Sequence, residues 1–225
     1  MHWIQSWDTA LFRCINDTLS NPVFDRVMPF VSGNKFFFPA LVVAGLLLLW
    51  KGGRRGRLCV LMAALIIPAG DGFVINTLKH AIARPRPFVT LDDMRFLGIR
   101  TTPDTSANIR AIISLDDEPG GPPQNTSMPS AHAANWFAAT MILLVYYRRS
   151  WRFMLPLAGT VAFSRAYNGV HYPSDVLAGA ILGAGYAVAG IWAINALWLW
   201  AGRKWFPLWF EKLPSLVNPE TPRTK

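Results

Sequence analysis

Apolar positions along the chain gather into five stretches, separated by short polar connections and one long one. The first runs from Phe36 to Trp50 and includes Val42-Val43-Ala44-Gly45-Leu46-Leu47-Leu48-Leu49. The second runs from Leu58 to Leu78, with Asp71 its only charge. The third runs from Ala133 to Tyr147, the fourth from Phe153 toward Val170, and the fifth, Val176 to Ala201, is uncharged. A helix needs about 20 residues to cross the hydrocarbon core. The second and fifth stretches meet that length, and the first and third gain a turn from 31–35 and 130–132. The fourth contains Pro156 and ends on Ser164 and Arg165, which predicts a span whose outer end lines a polar cavity. The expected fold is all-α, a multi-pass transmembrane helical bundle of about five spans, or six if residues 1–30 also cross.

At the N-terminus, Trp3, Ile4, Trp7, Leu11 and Ile15 recur at near-helical spacing, with Gln5, Asp8 and Asn16 between them. This predicts an amphipathic helix lying in the membrane interface. The order of residues is not the basic-then-apolar order of a cleavable signal peptide. The chain therefore divides into an interfacial segment (1–30), a transmembrane core (31–205) with an outer loop at 88–128, and a cytoplasmic tail (206–225).

Composition supports the membrane reading. Only 16% of residues are charged, against about 25% in ordinary soluble domains. The net charge of +9 invites a nucleic-acid partner, but the basic residues sit at the ends of apolar stretches rather than along a polar face, which excludes that class. Lys51, Arg54, Arg55 and Arg57, then Arg148, Arg149 and Arg152, then Arg203 and Lys204 fall on one side of a five-span bundle. By the positive-inside rule that side is the cytoplasm. The long loop lies opposite and is rich in Pro, Gly, Asp and Asn; its acids offset Arg95, Arg100 and Arg110. Cys14 and Cys59 match no metal-ligand spacing and fall near opposite faces. The sequons at Asn16 and Asn125 matter only in a eukaryotic secretory membrane.

Three polar clusters meet the outer face: Lys79 to Pro87, Pro129 to His132, and Ser164 to Asp175. Lys79, Arg86 and Arg165 supply positive charge, and arginine matches phosphate oxygens bidentately. The backbone N–H groups near Ser130 and Ala131 open a helix, a ready anion site. His171 and Asp175 are one helical turn apart. A neutral imidazole can attack phosphorus while its other ring nitrogen donates toward a carboxylate, and His132 can then protonate the leaving oxygen. Each cluster also has a plain structural reading. Lys79, Arg84 and Arg86 are interfacial anchors, Ser130 is a helix cap, and His171 to Asp175 is a capping turn with Pro173 starting the next helix. Their convergence on one membrane face favours a site. Asp71 reads as a supporting structural residue, and the tryptophans of the last stretch as belt and packing residues.

The spacings Lys79-x6-Arg86-Pro87, Pro129-Ser130-x-His132 and Ser164-Arg165-x5-His171-x3-Asp175 resemble the three signatures of the type 2 phosphatidic acid phosphatase family, which includes lipid phosphate phosphatases and vanadium haloperoxidases. The resemblance implies a phosphohistidine at His171 oriented by Asp175, with His132 as acid. It further implies phosphate bound by Lys79, Arg86, Ser130, Ala131 and Arg165, with no metal ion or other cofactor. Ala131 stands where the family most often has glycine; with φ < 0 it keeps the same N–H donor. The implied partners are a lipid phosphate and membrane lipids, in a bacterial inner membrane with the site facing the periplasm. The number of subunits is left open. Candidate substrates are undecaprenyl diphosphate, which is placed first, phosphatidate, phosphatidylglycerophosphate and lipid A phosphate. Competing readings are a lipid-to-lipid phosphotransferase, a haloperoxidase (disfavoured by the spans and the short chain), and a non-enzymatic transporter or scaffold for anionic lipids.

Overall fold

The computed structural model describes residues 2–97, 99–100 and 126–218. The interior of the long loop, with Arg110 and the Asn125 sequon, lies outside the described residues, as does the end of the tail from 219. Two N-terminal helices, α1 (His2–Arg13) and α2 (Pro22–Ser32), flank a π-helical turn at Cys14–Thr18. Next come α3 (Asn34–Lys51) and α4 (Gly53–Ile82), the latter widened by a π-helical segment at Gly70–Ile75. A short α5 (Pro87–Thr90) leads to a two-stranded antiparallel pair, β1 (Arg95–Phe96) and β2 (Ile99–Arg100). Beyond the loop lie α6 (Ala131–Tyr146), α7 (Trp151–Tyr167), α8 (Pro173–Trp205) and α9 (Pro207–Lys212).

The five apolar stretches correspond to α3, α4, α6, α7 and α8. By length and composition two of them, α4 with 30 residues and α8 with 33, are long and apolar enough to cross a membrane; the apolar parts of α3 and α6 are shorter. Large apolar side chains nevertheless cover the outside of the bundle: Leu46 on α3, Phe73 on α4, Leu155 on α7 and Ile181 on α8 are all exposed. An apolar surface of that extent suits lipid rather than water. The fourth stretch ends earlier than its sequence suggests, at Tyr167. There Asn168, Gly169 (φ +79°) and Val170 form the turn that carries His171.

The N-terminal segment differs from a single interfacial helix. Asn21 caps α2 by accepting from the N–H groups of Val23 and Phe24, and Pro22 occupies the first helical position, so the chain restarts there. Helix α1 is amphipathic as predicted, and the face it turns to the protein carries Asp8 and Phe12 together. Asp8 is buried, as is Asn16 in the turn that follows, while Trp7 is 74% exposed. Asn16 donates to the carbonyls of Arg95 (2.8 Å) and Tyr167 (2.7 Å) and accepts from the Arg95 N–H (2.9 Å). Buried in this way, the Asn16 sequon is closed to modification in the folded chain.

At the far end, the tail packs against the bundle. Tyr146 Oη donates to the Leu216 carbonyl (3.1 Å), Trp198 Nε1 to that of Leu213 (2.9 Å), and Arg54 to that of Lys212 (3.1 Å). These contacts bring the α3–α4 hairpin, the end of α6 and the end of α8 together, so the three basic clusters share one end of the molecule. The centre of the bundle is the α6–α8 contact. A Cβ on Gly179 would stand 2.3 Å from the Ser130 carbonyl oxygen, and one on Gly183 2.1 Å from that of Ala134. Glycines four residues apart on one face allow this backbone approach.

Candidate active site

Backbone hydrogen bonds join the three clusters. Helix α4 stops because Ala83 adopts a left-handed conformation (φ 46°) while its N–H donates to the Lys79 carbonyl (2.9 Å). The chain then turns back, and the Arg84 carbonyl accepts from the Ser127 N–H (2.7 Å). Three residues on, the Ser130 N–H donates to the Asp175 carbonyl (3.0 Å). Segments nearly a hundred residues apart are thus fixed to one another before any side chain is considered.

His171 is almost fully buried, and Asp175 completely so. Asp175 is the third residue of α8, which begins at Pro173, and its Oδ2 accepts from the Tyr172 N–H (2.8 Å). The capping reading of this turn therefore holds alongside the pairing with histidine. That pairing, i to i+4 as the spacing suggests, takes in a third residue. His171 Nδ1 lies 3.9 Å from Asp175 Oδ2, and the Ser127 hydroxyl, to one side of the pair, contacts both. Ser127 Oγ is 3.3 Å from Nδ1 and donates a short hydrogen bond to Asp175 Oδ2. With its proton directed at the carboxylate, the Ser127 oxygen is free to accept from Nδ1–H, which leaves the imidazole lone pair on Nε2. The other carboxylate oxygen, Oδ1, accepts from Arg84 Nη1 at 2.6 Å. Burial pushes His171 down to about 3; Asp175 opposes this shift, and the charges of Arg86 and Arg165 add to it. The imidazole is neutral at pH 7.

Around the two histidines the cations converge. His132, in the first turn of α6, lies in the field of Arg165, Arg86 and Lys79. Arg165 donates through Nη1 to Ser32 Oγ, and Arg86 Nη1 reaches the Val170 carbonyl at 3.5 Å. The Nε atoms of both arginines are buried without a hydrogen-bond partner among the described residues. Burial lowers Arg86 from its ordinary value, and the Asp175 charge counteracts that. Ser130 is fully buried, yet its hydroxyl neither caps α6 nor bonds elsewhere among the described residues. Ala131 is the first residue of α6 and is not among the residues with positive φ, so its N–H donor survives the missing glycine. Buried donors rarely go without acceptors. Two guanidinium nitrogens and a hydroxyl left open beside a lysine form a donor set suited to a phosphate-sized anion.

The structure therefore brings together His132, His171, Asp175, Lys79, Arg86, Arg165, Ser130 and Ala131. It adds Arg84, which the sequence reads as an interfacial anchor, and Ser127, which lies unremarked within the outer loop. A family model described as the PAP2 superfamily matches residues 57–199. The chain belongs to the PAP2 superfamily. All three clusters lie inside the matched segment, and α1 and α2 lie outside it. The lipid A 4'-phosphatase of Bacteroides thetaiotaomicron is 27% identical over 186 residues, covering 81% of this chain and 75% of that protein. An Escherichia coli protein named "Putative undecaprenyl-diphosphatase YbjG" is 26% identical over 204 residues, covering 89% and 87%. Among solved structures, a transmembrane PAP2 type phosphatidylglycerolphosphate phosphatase from Bacillus subtilis superposes with a TM-score of 0.56 at 21% identity, covering 84% of this chain and 85% of that one. The PAP2 fold accounts for the helical bundle and places the chain among integral membrane proteins.

Proposed function

We propose that the protein is a metal-independent lipid phosphatase whose nucleophile is His171. The observation that carries the reading is the set of buried donors on Arg86, Arg165 and Ser130, without partners among the described residues, around a neutral, buried histidine. Nε2 of His171 attacks phosphorus while the Nδ1 proton is held by Ser127 and, through it, by Asp175. His132 gives a proton to the leaving oxygen of the lipid. Lys79, Arg86, Arg165, Ser130 and the Ala131 N–H stabilise charge on the transferring phosphoryl group. Water then attacks the phosphohistidine, with His132 taking its proton, and phosphate and free His171 are regenerated.

An apolar cavity of about 480 Å³ opens between α3, α4, α6 and α7, reaching Asn135 and Trp136 one turn along α6 from His132. It supports a substrate with a hydrocarbon chain. Five spans, with the site on the periplasmic face of a bacterial inner membrane, complete the reading and follow from the basic clusters at the opposite end. Undecaprenyl diphosphate is the first substrate to try, supported by the name of the Escherichia coli relative. Lipid A phosphate is the second, supported by that of the Bacteroides relative.

The test is phosphate release from a panel of lipid phosphates and diphosphates by purified protein in detergent with EDTA. Release from at least one lipid is expected, and His171→Ala should abolish it. Activity that requires a divalent metal, or that survives His171→Ala, contradicts the reading. A transporter or scaffold would bind the lipids and release no phosphate.

A further inference from the structure

We infer that Asp8, on the N-terminal helix, is a positioning residue for the catalytic carboxylate. The inference rests on the phosphatase reading and concerns a part of the chain outside the matched family segment. Arg84 is shared between two buried carboxylates. Its Nη1 donates to Asp175 Oδ1 (2.6 Å) and to Ser174 Oγ (2.7 Å), and its Nη2 donates to Asp8 Oδ2 (2.6 Å) and to Gln5 Oε1 (2.8 Å). The guanidinium carbon lies 4.1 Å from the centre of the Tyr172 ring, which fixes its plane. Asp8 also accepts from the Ser174 N–H through Oδ1 (3.0 Å) and from the Ser174 hydroxyl through Oδ2 (2.5 Å). Its side chain is 6% exposed and that of Asp175 is 0%.

The order of charges is negative, positive, negative, ending one serine away from the nucleophile. Arg84 facing Asp175 alone would draw the carboxylate's electron density toward itself. Asp175 would then be a weaker acceptor for Ser127, and through it for the His171 Nδ1 proton. Asp8 offsets the arginine's charge and holds the fork in its plane, so Asp175 keeps both its position and its basicity while charge builds on the imidazole. Asp8 thus reaches the reaction through Arg84 and Asp175, and touches no substrate atom. Helix α1 becomes part of the catalytic apparatus rather than a membrane float, with Trp7 and Leu11 turned outward and Asp8 turned to the site.

The experiment compares wild type, Asp8→Asn, Asp8→Glu, Arg84→Gln and the Asp8→Asn/Arg84→Gln double variant in full-length protein in detergent, with thermal unfolding recorded for each. Asp8→Asn is expected to lower kcat about tenfold or more with KM changed by less than about twofold, and to slow phosphohistidine formation to the same extent. Asp8→Glu is expected to recover part of the loss. In the Arg84→Gln background the Asp8 substitution should add little, since the two act as one unit. A kcat for Asp8→Asn within twofold of wild type overturns the inference, as does a loss that appears only with early unfolding or that adds fully in the double variant. If Asp8→Asn does not fold, Asp8→Glu decides: a deep loss of kcat in folded protein overturns the proposal, and a partial one supports it. Wild-type protein that releases no phosphate from any lipid would instead defeat the phosphatase reading itself.

Discussion

Ser127 is the residue the structure adds to the site that the sequence does not single out. The four-residue spacing makes His171 and Asp175 neighbours, and they are. Nδ1 and Oδ2 stand 3.9 Å apart, beyond an ordinary hydrogen bond, and the Ser127 hydroxyl beside them contacts both. Ser127→Ala should therefore lower kcat by roughly tenfold to a hundredfold, because the imidazole loses the contact that sets its tautomer and orientation. KM should stay near wild type, since Ser127 Oγ faces the histidine and the carboxylate rather than the donor set. An unchanged kcat in folded Ser127→Ala would remove the serine from the account. The spacing of the cations and histidines was legible in the sequence because their chemistry is unusual at a membrane face. Ser127 and Arg84 were not, since a serine before a Met-Pro turn and an arginine beside another arginine have ordinary local explanations. Their partners lie 44 to 91 residues away in the chain.

At the level of elements, hydrophobic pattern alone located the five long helices, and their ends were set by local chemistry. Helix α4 runs past its apolar stretch through Lys79 to Ile82, and the left-handed Ala83 ends it, so Lys79 is on the helix while Arg84 and Arg86 are on the returning strand of chain. The burial of Asp8 on α1 could not be read from periodicity, because an amphipathic pattern does not say which side meets protein when lipid is the other solvent. Packing between α6 and α8 carries the site, since Ser130 and Asp175 begin those two helices. Gly183→Val places side-chain atoms against the Ala134 backbone and should destabilise by about 1–3 kcal/mol or more, read as a lower unfolding temperature in detergent together with lost activity. Gly185→Ala, whose Cβ would meet nothing within 4 Å, is the control. It should unfold at or slightly above the wild-type temperature because alanine is the better helix former. Equal stability of the two variants would contradict the close α6–α8 approach.

For the whole molecule, the proposed orientation has a natural reporter. Cys14 is exposed and Cys59 is buried. Cys14 belongs to the π-helical turn that Asn16 ties to Tyr167, and so lies at the end of the bundle that carries the site. A small membrane-impermeant maleimide added to intact cells should label Cys14, and Cys14→Ser should remove the label. Labelling only after the inner membrane is breached would place the site on the cytoplasmic side. The central claim, that a histidine carries the phosphoryl group, is tested most directly by trapping it. Protein mixed for milliseconds with lipid labelled on the reacting phosphate, in EDTA, and quenched in alkali should hold a base-stable, acid-labile label on the peptide containing His171. His171→Ala should hold none. Turnover without any such label, or a label on another residue, would contradict the account.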